Sequence, residues 1–501
     1  DSTEETAVCT CEMACTEETM NAECPVCGAE GALAENCGKY VEPAAEDEIS
    51  QPEGEEPQEK QDSDMPDTQS EAALAQLSGE GENGIAVQSA GVAIDNNNFP
   101  DANFCSFVAS SFDKDNDNYL SDTEINAAEN INCAKKGISD LTGISHFTAL
   151  KSLKCFNNQL TSLDVSKNTA LTYLDCGRNQ LTTLDVSKNT ALTYLDCDWN
   201  QLTSLDVSKN VALTKLSCWG NSLTKLDVSN NTALIHLDCG RNQLTTLDVS
   251  KNTALTYLDC RSNQLTALDV SNNTALTDLA CRSNQLTALD VSNNTALTYL
   301  NCYDNQLTSL DVSKNTALTY LDCYDNQLTS LDVSNNTALT KLNCYDNQLT
   351  ALDVSKNTAL TDLDCRNNQL TSLDISNTDM SGLDCDGNIY QIVVGNDRTF
   401  DLSTLPGNFN VAKTSDWSGG TVSGNTLTVD SDQDTVTYKY DCGKGRRRTF
   451  TLKCVKSADY TKVDEAITKA KALNKDDYKD FSAVDSAVNA VVRGKNITEQ
   501  S

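Results

Sequence analysis

From Leu150 to about Asn388 the chain repeats itself every 21 residues, and this period limits the possible folds more than any other feature. Residues 171–191 read LTYLDCGRNQLTTLDVSKNTA, and residues 318–338 read LTYLDCYDNQLTSLDVSNNTA. A unit this short cannot bury an apolar side alone, so successive units must stack and share one core. In LTYLDC, alternation turns Leu174 and Cys176 inward and Tyr173 and Asp175 outward. These segments are expected to form one parallel sheet along one face, with LTTLDV as a short extended or turn-like back. About twelve coils at a strand spacing of about 4.8 Å predict a rod of roughly 55–60 Å.

Each coil carries L-x-x-L-x-C-x-x-N-x-L, the leucine-rich-repeat pattern with cysteine in place of its third apolar residue. A degenerate first turn contains Ile131, Cys133, Ile138, Leu141 and Ile144, and a last turn ending at Cys385 is one residue short. Asn158, Asn179, Asn200, Asn221 and their successors to Asn368 form a column whose amides satisfy backbone groups where each strand bends away. Thirteen cysteines, from Cys133 and Cys155 to Cys365 and Cys385, form a second column. In-register neighbours have parallel Cβ vectors, which oppose the ~90° disulfide torsion. They are therefore read as reduced, buried small hydrophobes rather than redox or metal groups.

The cysteine-bearing 21-residue coil resembles the repeat of internalin J-like surface proteins of Gram-positive bacteria, since period, cysteine and asparagine positions all match. The resemblance covers about half the chain. It implies adhesion or binding to a host surface, and no particular ligand.

The flanks complete an α+β repeat protein. Residues 1–41 are cysteine-rich, 42–92 an acidic flexible linker, 93–132 a small helical cap and 133–388 the solenoid. Residues 389–455 are read as a β-sandwich-like domain, and 456–501 as part of a helical bundle. In the cap, Asp113, Asp115, Asp117, the Tyr119 carbonyl and Glu124 have the spacing of an EF-hand loop, so Ca2+ is the expected cofactor. Asn118 replaces the usual glycine and tolerates the left-handed conformation. Caps of this kind accompany similar repeats in clostridial proteins. Whether Cys442 and Cys454 pair is left open. DYTKVDEAI, LNKDDYKDFSAV and NAVVRGKNIT resemble a FIVAR module, and the chain stops inside it, so a fragment with a missing anchor is expected. A start at Asp1 suggests a removed signal peptide. Cys9, Cys11, Cys15, Cys24, Cys27 and Cys37 are expected in disulfides, with a Zn2+ knuckle at Cys24 and Cys27 the alternative. Residues 42–84 hold four of the seven prolines and almost no bulky apolar side chains, so they cannot bury a core.

Net charge is −36, and residues 1–82 carry twenty-three acids against Lys39 and Lys60. That argues against nucleic acid and anionic membrane as partners. No apolar run is long enough to span a bilayer. No nucleophile elbow, H-E-x-x-H or phosphate loop is present, so binding rather than catalysis is expected. The candidate surface is the outward face of coils 8 to 10: Tyr299, Tyr303, Asp304, Tyr320, Tyr324, Asp325, Tyr345 and Asp346. Trp199 and Trp219 stand nearby, and Arg241, Arg261 and Arg282 mark coils 5 to 7. Tyrosine and tryptophan give large contact area at low entropy cost. The expectation is an extracellular or cell-surface adhesin that takes a protein on a host or neighbouring cell. The alternative is a glycan stacked on the aromatic columns.

Overall fold

The computed structural model describes residues 91–456, 461–473 and 482–490. The chain divides into two units, Asp1–Gly84 and Ile85–Ser501, and the described residues all belong to the second. The cysteine-rich segment and nearly all of the acidic linker lie outside the described residues.

The solenoid is a parallel sheet of thirteen three-residue strands, from Asn130–Asn132 to Gly382–Asp384, stacked in chain order. Register is strict: Tyr299 lies beside Tyr320 and Tyr320 beside Lys341, with Leu300, Leu321 and Leu342 aligned next to them. The inward half of each strand is sealed, since Leu174, Cys176 and their equivalents through Cys365 are 0–1% exposed. Leu and Val of the back half, such as Leu181 and Val186, close the other side of the same core. The back contains no strands among the described coils, only turns.

Backbone groups that the narrow coil leaves unpaired are met by asparagine. Asn305 Nδ2 donates to the carbonyls of Cys281, Cys302 and Tyr303 at 3.1–3.2 Å, and its Oδ1 accepts from Leu286 N–H at 3.0 Å. This is the predicted ladder. A second one, not anticipated from the sequence, runs along the back through Asn168, Asn189 and on to Asn357, each 0% exposed. There Asn315 Nδ2 donates to Val291 O at 3.0 Å and Asn294 O at 2.8 Å. The thirteen ladder cysteines are all buried and free, as expected.

The N-terminal cap packs on the first turn. Helix α1 (Ala102–Phe112) starts at Asp101, whose carboxylate accepts from Asn103 and Phe104 N–H. The same carboxylate takes Ser139 N–H at 2.8 Å, which ties the cap to the solenoid. Phe99, Phe104, Val108, Leu120 and Ile125 form its buried interior. Strand β1 (Val92–Ala93) pairs antiparallel with β2 (Tyr119–Leu120), and α2 (Asp122–Ala127) follows with a capping box between Ser121 and Glu124.

At the other end, residues 389–456 form two small sheets. One has four strands, Ile389–Val394, Arg447–Lys456, Thr435–Asp441 and Thr414–Ser418; the other has three. They seal the last coil: Tyr438 OH donates to Thr371 O at 2.6 Å, and Arg448 Nη2 to Leu383 O at 3.1 Å. Cys442 and Cys454 are both free. The hairpin register explains this. Asp441 pairs with Arg447 while Thr435 pairs with Lys453, so the two cysteines sit at opposite ends of the ladder. Two short helices, α3 (Thr461–Lys471) and α4 (Ser482–Asn489), occupy the positions read as helical; the rest of that module lies outside the described residues.

Candidate functional site

The outward residues of coils 8 to 10 form three columns. Tyr299, Tyr320 and Lys341 begin their strands. Asn301, Asp322 and Asn343 end them, and Tyr303, Tyr324 and Tyr345 follow two residues later. Strand spacing brings like residues into face-to-face stacking. Tyr303 and Tyr324 have ring centroids 4.0 Å apart at 15°, and Tyr324 and Tyr345 lie 4.2 Å apart at 11°. Tyr299 and Tyr320 stack at 4.6 Å. The stacks end in cations: the Arg282 guanidinium lies 4.9 Å from the Tyr303 ring, Arg366 5.3 Å from Tyr345 and Lys341 5.4 Å from Tyr320. Both faces of each ring from Tyr303 to Tyr345 are thus occupied. The rings are half-buried rather than fully open to solvent, and they show edges and hydroxyls.

Between the tyrosine columns lies a polar floor. Asn301 and Asp322 are each 5% exposed although strand alternation points them outward. Asn301 Nδ2 donates to Tyr299 OH, and Tyr320 OH donates to Asp322 Oδ2, each at 3.2 Å. Burial pushes the Asp322 carboxyl up to about 7. Oδ1 atoms of Asn301, Asp322 and Asn343 have no hydrogen-bond partner in the protein. Asp304, Asp325 and Asp346 are exposed beside the third column at φ 49–51°, a conformation aspartate tolerates. Burial and the flanking charges of Asp304 and Asp346 raise the Asp325 carboxyl. The floor and the Arg366 end-cap were missed in the sequence, and Arg282, noted there with Arg241 and Arg261 on coils 5 to 7, was not placed against Tyr303. Their signal was there, since every coil contributes to each column.

Trp199 and Trp219 are not part of this site. They lie on coils 3 and 4 and meet edge-on, with ring centroids 4.4 Å apart. Arg178, Arg241 and Arg261 stand over them at 5.1–5.8 Å. Gly240 makes room: a Cβ there would lie 2.6 Å from the Trp219 ring. His236 is stacked on Tyr257 at 4.1 Å, and burial lowers its pKa to about 4.

In the cap, carboxylate oxygens of Asp113, Asp115 and Asp117 converge within 4.8 Å. Asn116 and Asn118 take φ 58° and 65°, which wraps the loop inward. Asp113 accepts from Asp117 and Asn118 N–H at 3.2 and 3.1 Å. Burial, followed by the charges of Asp117, Glu124 and Asp113, raises the Asp115 carboxyl. Glu124 lies beside that cluster and closes the loop: its oxygens accept from Lys114 N–H at 2.6 Å and from Ser121 N–H at 2.9 Å. Tyr119 sits on β2, paired with Ala93.

The sheet, its ladders and its period define a leucine-rich-repeat solenoid. The leucine-rich-repeat family, in a form spanning two copies, matches residues 295–336. Internalin J of Listeria monocytogenes serotype 4b (strain F2365) is 46% identical over 70 residues, 14% of this chain and 8% of that protein's length. A solved functional domain of InlJ from Listeria monocytogenes, described as including a cysteine ladder, is 34% identical. That match covers 73% of this chain and 100% of the domain, with a TM-score of 0.49. An internalin (inlF) from strain 4b F2365 is 24% identical over 59% of this chain and 98% of its own, with a TM-score of 0.50, and shows the fold alone. The chain is thus a leucine-rich-repeat protein by its fold and by the matched repeats, and in sequence it is similar to internalin J. No helix among the described residues is long and apolar enough to cross a membrane.

Proposed function

We propose that the chain is a secreted or cell-surface adhesin that binds a protein on a host or neighbouring cell through the sheet face of coils 8 to 10. The observation that carries this reading is the continuous stack Arg282, Tyr303, Tyr324, Tyr345, Arg366. Rings already held on both faces have little side-chain freedom left to lose on binding. They offer edges and hydroxyls next to the open carboxylates of Asp304, Asp325 and Asp346. Sugar stacking needs a free ring face, and the faces in this column are taken, so a glycan is the second choice here. A host-protein pulldown run beside a glycan array separates the two. With an identified ligand, Tyr303→Ala combined with Tyr324→Ala should weaken binding at least about tenfold, the usual loss for central aromatic anchors. Unchanged affinity in a folded variant places the site elsewhere, first at Arg241 and Arg261.

A second reading concerns the cap. We propose that Asp113, Asp115, Asp117, the Tyr119 carbonyl and Glu124 hold Ca2+. An all-oxygen set with three converging carboxylates suits this hard cation, and it would offset their mutual repulsion. The FIVAR-like reading of residues 456–501 is retained as a proposal, supported by the positions of α3 and α4.

A further inference from the structure

The sulfur column does not stop at the last coil. Spacing there shortens by one residue between Cys365 and Cys385. The Cys385 side chain is in hydrogen-bond contact with Cys365 and also with Cys442. Cys442 belongs to the β domain, where it follows the strand Thr435–Asp441. The turn it opens is pressed onto the last coils. Ile375 N–H donates to Cys442 O at 2.8 Å, Arg446 Nη2 donates to Met380 O at 2.7 Å, and Lys444 pairs with Asp379 at 2.6 Å. Gly443, at φ 97°, approaches so closely that a Cβ would lie 3.1 Å from Ser376 Cα. All three cysteines are 0% exposed, and all are free thiols in the structure.

Cys442 therefore supplies the next rung, but from a different backbone. Rungs inside the solenoid sit on parallel strands in register, where Cβ vectors run together and a disulfide torsion is hard to reach. Cys442 enters from the end of an antiparallel hairpin, and that constraint does not apply to it. We propose that Cys385 and Cys442 are a disulfide-forming pair that covalently closes the β domain onto the end of the solenoid. The oxidant is a small-molecule disulfide such as oxidised glutathione. One deprotonated thiol attacks it, forming a mixed disulfide and releasing one glutathione thiolate. The second protein thiol loses its proton, displaces the other glutathione, and completes the bond; two glutathione thiols are produced for one disulfide consumed. Contact with Cys365 together with burial raises the Cys385 thiol, and contact with Cys385 together with burial raises that of Cys442. Thiolate is thus scarce once the end is sealed, so the bond forms during folding.

The test refolds the full chain in a mixture of reduced and oxidised glutathione. Remaining thiols are alkylated in denaturant, and the chain is digested with trypsin without reduction. Cleavage after Arg366, Arg398, Lys439 and Lys444 leaves Cys385 and Cys442 each alone in its peptide. The expected product is those two peptides joined and lighter by two hydrogens, with Cys365 and the earlier rungs alkylated. Cys442→Ser should then leave Cys385 alkylated. Reductant should lower the melting temperature of the oxidised parent and not that of this variant. Recovery of both peptides fully alkylated from the refolded parent overturns the proposal, as does Cys385 joined to Cys365. The peptide map of the parent decides the matter even if the variant fails to fold.

Discussion

Asn315 shows what one side chain does in a coil this narrow. Its Nδ2 holds the carbonyls of Val291 and Asn294, both in the preceding turn of the back. Each carbonyl also accepts a backbone N–H, Val291 O from Asn294 at 3.0 Å and Asn294 O from Leu297 at 3.1 Å. Alanine therefore removes one of two bonds from each, and at about 0.5–1.5 kcal/mol per buried hydrogen bond the loss is roughly 1–3 kcal/mol. Urea denaturation of Asn315→Ala checks this; a loss below about 0.5 kcal/mol, the range of ordinary surface changes, contradicts it. Asp322 works the other way. Its folded pKa of about 7 lies above the ordinary aspartate value of 3.8. Its contribution is therefore fully present below about pH 4 and is lost as pH rises through about 7. Coils 8 and 10 carry Asn301 and Asn343 at the same floor position, so Asp322→Asn fits the site. It should raise stability at pH 8 by an amount on the order of a few kcal/mol, with the gain shrinking toward pH 4. An equal effect at both pH values means that the carboxyl is not strained by burial.

At the scale of elements, coil geometry was legible because alternation and period state it twice over, in leucine and in cysteine. The exposure of outward residues was less legible. Alternation aims Asp322 away from the core, yet it is covered because Tyr320 and Tyr324 rise on either side and stack on their neighbours. Burial on this face is a property of three adjacent coils, and a single 21-residue unit does not contain it. The back asparagines were as regular as the front ones, but S-K-N-T and S-N-N-T look like ordinary turn residues, and their partners lie in the preceding coils. In the cap, the loop residues were legible by spacing alone. Calcium should raise the melting temperature of the cap, because a ligand that binds only the folded form stabilises it by mass action. Glu124→Gln should reduce that gain most, since this side chain also closes the loop through Lys114 and Ser121. Identical melting with calcium and with chelator, and no calorimetric signal, rules the site out.

Over the whole molecule, the strict repeat makes one face continuous and leaves local differences to carry recognition. The acidic balance is one such feature. Asp304, Asp325 and Asp346 form an exposed row along three coils, and replacing all three with asparagine should slow association with a ligand and flatten its salt dependence, while dissociation changes less. The most direct measurement of the central claim is retention of the labelled chain on cultured host cells, for the parent and for Tyr303→Ala with Tyr324→Ala. Cells are used untreated, protease-treated and glycosidase-treated. A protein ligand on this face predicts saturable retention that protease abolishes, glycosidase spares and the folded double variant loses at least about tenfold. Retention that survives protease, or that the double variant keeps in full, contradicts a protein ligand on the tyrosine columns of coils 8 to 10.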